Sequence, residues 1–81
     1  MRHFVGVKIR NQEYVDAFGR HVRALRMERK LSQDDLAAMA GIEKKSLARI
    51  EGGEVNTTIS TAYALAMALG IGHREIFGFE F

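Results

Sequence analysis

A chain of 81 residues, 47% hydrophobic and 27% charged, has the composition of one globular domain, which excludes a disordered protein. The absence of cysteine excludes disulfide bridges and thiolate metal sites, and it fits a reducing cytosol. The net charge is only +2, but residues 1–30 hold eight Lys and Arg against three acids. Such a basic end indicates an anionic partner such as nucleic acid, and an ordinary solvated helix face explains it equally well.

The first residues are predicted to form an N-terminal extension, residues 1–11. Val5, Val7 and Ile9 occupy alternate positions, as in a short β-strand. Because a lone strand leaves its backbone groups unpaired, this segment needs a partner strand. We expect it to pair with the C-terminal tail, or each end to pair with its own copy across a two-fold axis.

The domain itself is predicted to span residues 12–81 and to begin with a long helix. Asn11 is a suitable N-cap for a helix from about Gln12 to Arg29. One apolar stripe runs along this helix at spacings of three and four residues, formed by Tyr14, Phe18, Val22 and Leu25.

The second helix has clear start and stop signals. Ser32 and Asp35 have the spacing of a capping box, and Gly41 is placed to end the helix after Ala40. A third helix follows Ile42 and ends at Gly52-Gly53. Its buried side is predicted to carry Leu47 and Ile50.

The remainder of the chain predicts a fourth helix, a short fifth helix and a strand-like tail. Thr58 is a plausible N-cap, and Gly70 terminates the fourth helix. Its predicted inward residues are Ile59, Ala62, Leu65, Ala66 and Leu69. Residues 73–77 form the fifth helix, and Phe79 and Phe81 alternate as in a strand. The predicted fold is therefore all-α with five helices and possible short β-strands at both ends.

Two helices joined by a tight turn are predicted around Gly41. Ala37 is small where the next helix crosses, and Gly41 stands where the turn needs a positive φ. The inward positions around the turn carry apolar residues: Leu36, Ala40, Ile42, Leu47 and Ile50. The outer side of the third helix is thereby presented to solvent.

These residues resemble the XRE-type helix-turn-helix family of phage repressors and Cro proteins. The matching segments are Leu25-Arg26, residues 31–37, residues 40–42, residues 46–52 and residues 68–71. The resemblance covers about Phe18 to Phe77. Thr57 departs from it, because the family often has proline there, and residues 1–11 lie outside the pattern.

The resemblance implies that the third helix enters the major groove of double-stranded DNA while the second crosses the backbone. The residues that it assigns to DNA contact are Gln33, Glu43, Lys44, Lys45, Ser46 and Arg49. Gln33 would contact a phosphate, the cations suit guanine, and Glu43 suits cytosine N4. Alternatively, Glu43 only compensates the helix dipole, and the cations form a solvated face.

The resemblance also implies a buried ion pair between Arg26 and Glu51. Two unrelated surface charges are the alternative for this pair. The methionines Met27, Met39 and Met67 are expected in the core rather than at a cofactor site. We expect no cofactor, no metal and no enzymatic activity, because the three histidines are far apart and no catalytic motif is present.

The favoured function is sequence-specific DNA binding by a small transcriptional regulator acting as a homodimer. Promoter occlusion and polymerase contact are both open as mechanisms. The alternative is a protein-interaction or antitoxin module of the same fold with weak DNA binding. No membrane partner is expected, because the longest uncharged helical run, near Ala62 to Leu69, is far shorter than a bilayer span.

Overall fold

The computed structural model describes residues 10–81, and the predicted N-terminal strand lies outside the described residues. The helices are α1 (Gln12–Glu28), α2 (Gln33–Ala40), α3 (Lys44–Glu51) and α4 (Ile59–Leu69), followed by one 3-10 turn, Glu75–Phe77. The architecture is all-helical, as predicted, and residues 10–81 contain no strand. None of the helices in this part of the chain is long and apolar enough to cross a membrane.

The predicted fifth helix is wrong, since the chain makes only a three-residue 3-10 turn there. Ile76 is its one buried residue, and Gly78 follows directly, so there is neither an apolar face nor the length to sustain an α-helix. The predicted C-terminal strand is also wrong. Phe79 packs on Tyr14 of α1 with ring centroids 5.1 Å apart, and Phe81 does so at 5.0 Å. Ring packing on α1 therefore replaces strand pairing.

The capping predictions for α1, α2 and α4 are confirmed. The Asn11 side chain accepts from the Tyr14 backbone N–H at 3.0 Å, and the Thr58 hydroxyl accepts from Thr61 at 3.1 Å. Ser32 and Asp35 form the reciprocal capping box that precedes α2. By contrast, α3 begins without any side-chain cap, so tertiary packing must hold its start.

The core lies where α2 meets α3 and α4, with α1 closing it against α3. Its fully buried side chains are Val22, Leu36, Leu47, Leu65 and Ile76. Gly19 allows α1 to approach the end of α3 closely, because a Cβ there would lie against the Ile50 carbonyl and 2.7 Å from the Glu51 carbonyl. This contact fixes the end of α3 on α1.

Four predicted core residues are in fact exposed. Ile59 is 86% exposed, and the three methionines Met27, Met39 and Met67 are 55–61% exposed. The patterns gave the wrong answer because apolar spacing does not distinguish a core face from a surface that is apolar for another reason. Ile59 and Met67 both belong to α4, which therefore has an apolar outer side as well as an apolar inner side.

Candidate nucleic-acid interface

A three-residue turn fixes the angle between α2 and α3. Gly41 adopts φ 76° and ends α2 in the left-handed conformation. Its N–H donates to the Ala38 carbonyl, and the Ile42 N–H donates to the Ala37 carbonyl at 3.0 Å. This is the Schellman pattern, and it satisfies carbonyls that the end of α2 would otherwise leave unpaired. The chain can then enter α3 within two residues.

The eight residues of α3 divide into a buried side and an outer side. Leu47 and Ile50 are buried in the core, at 0% and 4% exposure. We call the outer side, together with the N-cap residue Glu43, the reading face; it consists of Glu43, Lys44, Lys45, Ser46 and Arg49. Four of these are exposed, and Ser46 is half-buried. The structure thus brings five of the six residues assigned to DNA contact together on one surface.

One side chain of the reading face has a partner on α2. The Lys44 ammonium lies 3.6 Å from the Asp34 carboxylate, and both side chains are more than half exposed. An ion pair this open to water is weak, and salt screens it further. Asp34 therefore places one negative charge beside Lys44 without holding that side chain in one position.

Gln33, the sixth assigned residue, lies at the start of α2 beside the end of α3. Its amide nitrogen donates to Glu51 Oε1 at 3.0 Å, and the residue is half-buried. Sequence reasoning missed this contact, because no local pattern links residues 18 positions apart. The hydrogen bond to Glu51 thus holds Gln33 against the end of α3, at the edge of the reading face.

Arg26 and Glu51 meet in a two-point contact behind Gln33. Arg26 Nε lies 2.8 Å from Glu51 Oε2, and Arg26 Nη2 lies 3.1 Å from Oε1. The two side chains are only 12% and 4% exposed. Arg26 Nη1 also donates to the Leu31 carbonyl, so the guanidinium ties the loop before α2 to the end of α3.

Hydrogen bonds shift the pKa of one basic and one acidic group near the interface. The hydrogen bond with Glu51 raises the pKa of Arg26 above its ordinary value, although burial opposes this change. The hydrogen bonds from Ser32, chiefly from its backbone N–H, lower the pKa of Asp35. Both shifts favour the charged form of the group.

A second exposed surface of the molecule is apolar. We call it the apolar face; it consists of Ile59, Tyr63, Met67 and Phe77, which are 86%, 55%, 61% and 44% exposed. A depression of about 750 Å³ adjoins the apolar face, and it is lined by residues of α4 and of the segment 73–77. Within residues 10–81, no cluster of three or more His, Cys, Asp or Glu side chains is placed to hold a metal ion.

Comparisons with known proteins identify the family of this chain. Residues 22–76 match the family described as helix-turn-helix. The chain is 38% identical to an uncharacterized HTH-type transcriptional regulator of Sinorhizobium fredii, over 72% of this chain and 75% of that protein. It is 44% identical to the immunity repressor protein of Bacillus phage phi105 over 76% of this chain, but it spans only 43% of that repressor.

The fold has a close match among solved structures. The restriction-modification controller protein C.AhdI from Aeromonas hydrophila superposes with a TM-score of 0.75 at 33% identity. The match covers 82% of this chain and 98% of the controller protein. The chain is therefore similar to that controller over nearly the whole length of the controller.

Proposed function

This chain belongs to the helix-turn-helix family and is a DNA-binding transcriptional regulator, and from that premise we propose that its reading face contacts operator bases in the major groove. The observation that carries the proposal is the division of α3 into a core side and a solvent side with three cations. In this proposal Arg49, Lys44 and Lys45 donate to guanine O6 and N7. Glu43 accepts from cytosine N4, and Ser46 is a small polar neighbour.

Gln33 has a different role in this proposal, because it lies at the edge of the reading face. Its amide contacts a backbone phosphate, which sets the position of α3 in the groove without reading sequence. Residues 12–81 form the DNA-binding domain, and residues 1–11 are an extension to it. In this proposal the regulator acts in the cytoplasm, a reducing compartment that suits a chain without cysteine.

The proposed active form is a homodimer whose subunits meet through the apolar face. One reading helix covers only a few base pairs, whereas two such helices about 34 Å apart read two half-sites. Large apolar side chains grouped on one surface mark a protein contact, and Tyr63 and Met67 lie one helical turn apart on α4. Phe79 is half-buried against α1 of its own chain, so the exposed aromatic and aliphatic side chains of α4 offer the larger contact surface.

Selection of bound sequences from random duplex DNA tests the DNA-binding proposal. We expect an enriched, two-fold related motif whose half-sites are spaced by a multiple of one helical turn. Binding should weaken steeply as salt rises. A module of the same fold that acts only through other proteins would show no preferred sequence, and that outcome would contradict the proposal.

Sedimentation velocity tests the homodimer. Replacing both Tyr63 and Met67 by Ser should shift the protein toward monomer and weaken operator binding. The matched control replaces Met27 and Met39, which are equally exposed but lie on α1 and α2. If the control pair and the α4 pair behave alike, the apolar face is not the interface.

A further inference from the structure

A second, polar depression of about 440 Å³ lies beside the reading face. It is enclosed by α1, the start of α2 and the end of α3, and its lining residues are Arg23, Arg26, Gln33, Ala48, Glu51 and Gly52. Ala48 is the neighbour of Arg49 in α3, so this depression adjoins the surface assigned to DNA. Neither the base-reading residues nor the apolar face accounts for its charges.

The charges in this depression divide into a closed pair and a free cation. Each of the three nitrogens of the Arg26 guanidinium is hydrogen-bonded within the protein, to Glu51 or to the Leu31 carbonyl. Glu51 in turn has both carboxylate oxygens bonded. Arg23 is exposed and forms no ion pair with any residue from 10 to 81. The depression therefore has a net positive charge, and Arg23 is the cation available to a ligand.

Glu51 also decides how the Gln33 amide is turned. A carboxylate accepts hydrogen bonds only, so the amide nitrogen of Gln33, and not its oxygen, must lie against Glu51 Oε1. The nitrogen has two hydrogens, and one remains for an acceptor outside the protein. Arg26 holds Glu51 at two points, so the acceptor that orients the Gln33 amide is itself held in place.

We propose that this depression binds one backbone phosphate of DNA, with Arg23 and Gln33 as the two donors and Glu51 as the residue that positions Gln33. The proposal rests on the proposed function and adds Arg23 and Glu51 to it. A phosphate fits this site chemically, because a free guanidinium and an oriented amide N–H both bind anionic oxygen. Arg26 has no direct contact with the phosphate in this arrangement.

The role of Arg23 is tested by comparing Arg23→Gln with Arg20→Gln. Arg20 is an equally exposed cation on α1, but it lines a different hollow, beside Phe81. Binding of each variant to a random-sequence duplex is measured by fluorescence anisotropy at several salt concentrations. Arg23→Gln should reduce the slope of log affinity against log salt by about 0.9, the value for one lost phosphate contact. Arg20→Gln should leave the slope unchanged.

Equal slopes for the two variants would overturn the proposal, since only net charge would then matter. This outcome differs from failure of the proposed function. If the proposed function is wrong, the wild-type protein binds no duplex. If only the phosphate site is wrong, the wild-type protein binds duplex, and Arg23→Gln has no effect beyond that of Arg20→Gln.

The positioning role of Glu51 is tested by a double-mutant cycle on DNA affinity with Gln33→Ala and Glu51→Leu, since leucine removes the acceptor for the Gln33 amide. Gln33→Ala should weaken binding in the wild-type background and have little further effect when Glu51 is already replaced. An equal effect in both backgrounds would show that Glu51 only supports the fold. Urea unfolding of the same four proteins separates stability from binding.

A second measurement uses the wild-type protein alone, in case Glu51→Leu does not fold. The two side-chain amide protons of Gln33 are followed by NMR. In the free protein, one of them should be shifted by its bond to Glu51, and the other should move when duplex is added. Two amide protons that shift together, or not at all, would contradict the assigned positioning.

Discussion

The reading face and the apolar face are both exposed, but they are supported in different ways. The reading face lies on an eight-residue helix with no side-chain cap, and the end of that helix is held on α1 by the Arg26–Glu51 ion pair. The apolar face lies mainly on α4, which has the Thr58 cap and a left-handed Gly70 at its end. The end of α4 is also held on α1, because Arg29 Nε donates to the Leu69 carbonyl at 2.8 Å. The reading face is thus supported by a buried ion pair, and the apolar face by helix caps and a single hydrogen bond from an arginine.

This difference teaches what each face can bind. Cations on a short, tightly placed helix suit a rigid anionic partner with grooves, because small errors of position lose hydrogen bonds. Large apolar side chains on α4 suit another protein surface, because their attraction is non-directional. Removal of Arg26 or Glu51 should affect the reading face more than the apolar face, because their side-chain hydrogen bonds join them to each other, to Leu31 and to Gln33.

The largest expected effect comes from breaking the ion pair. Glu51→Leu or Arg26→Met alone should lower the free energy of unfolding by about 3–5 kcal/mol, because either leaves one buried charge without its partner. The double variant should lose much less than the sum of the two. Urea unfolding of the single and double variants measures this coupling. Small, additive losses would show that the two charges are independent.

Removing base contacts should weaken binding without unfolding the protein. We expect Arg49→Ala and Lys45→Ala each to cost about 1–3 kcal/mol in operator binding, and each to relax the preference at one base pair. Arg20→Ala, an exposed cation away from the reading face, is the control. Dimerisation should be unchanged in every case. Full operator affinity and selectivity in the Arg49 and Lys45 variants would remove this surface from the interface.

Asp34 offers a change in the opposite direction. Asp34→Asn removes the carboxylate that lies 3.6 Å from Lys44, and it also removes a negative charge that DNA phosphates would repel. Binding to random-sequence duplex should tighten by less than about 1 kcal/mol, since the pair is exposed. The gain should decrease as salt is raised. A loss of affinity would instead mean that Asp34 positions Lys44 for its base contact.

The smallest effect concerns acid. The backbone hydrogen bond from Ser32 lowers the pKa of Asp35 below its ordinary value of 3.8, so the charged form stabilises the folded state. That contribution is complete above pH 3.8 and is lost as the pH falls through the lowered folded pKa. The stability difference between the wild type and Asp35→Asn should therefore be constant near neutral pH and shrink in acid. Asp34→Asn is the control, and a difference that persists in acid would contradict the assignment.

Local features of the fold were predictable from the sequence, whereas long-range ones were not. Asn11, Ser32, Thr58 and Gly41 act within three or four residues of their own positions, so their patterns determine helix ends directly. The contact of Gln33 with Glu51 depends on how two helices pack, and no spacing indicates it. The reading face could be predicted only through the family resemblance. An exposed arginine on a helix has the same local sequence pattern whether or not it binds DNA.

Apolar residues gave the clearest errors, for a physical reason. Ile59 has the spacing of a core residue and is almost fully exposed, because α4 has apolar residues on more than one side. Phe79 and Phe81 have the alternation of a strand, but rings on α1 offer them closer packing than an unpaired edge would. Hydrophobicity indicates that a side chain favours contact with other apolar groups. It does not identify the surface against which that side chain packs.

The Gly41 turn has a consequence for the DNA. Because hydrogen bonds close the end of α2 and only two residues separate Gly41 from α3, the two helices form one stiff unit without a hinge. A stiff unit cannot adapt to the duplex, so any mismatch in groove width or pitch must be absorbed by bending or twisting the DNA. The energy of that deformation depends on base steps that no side chain touches. For the proposed homodimer, we therefore expect operator strength to vary with the flexibility of the spacer between its two half-sites.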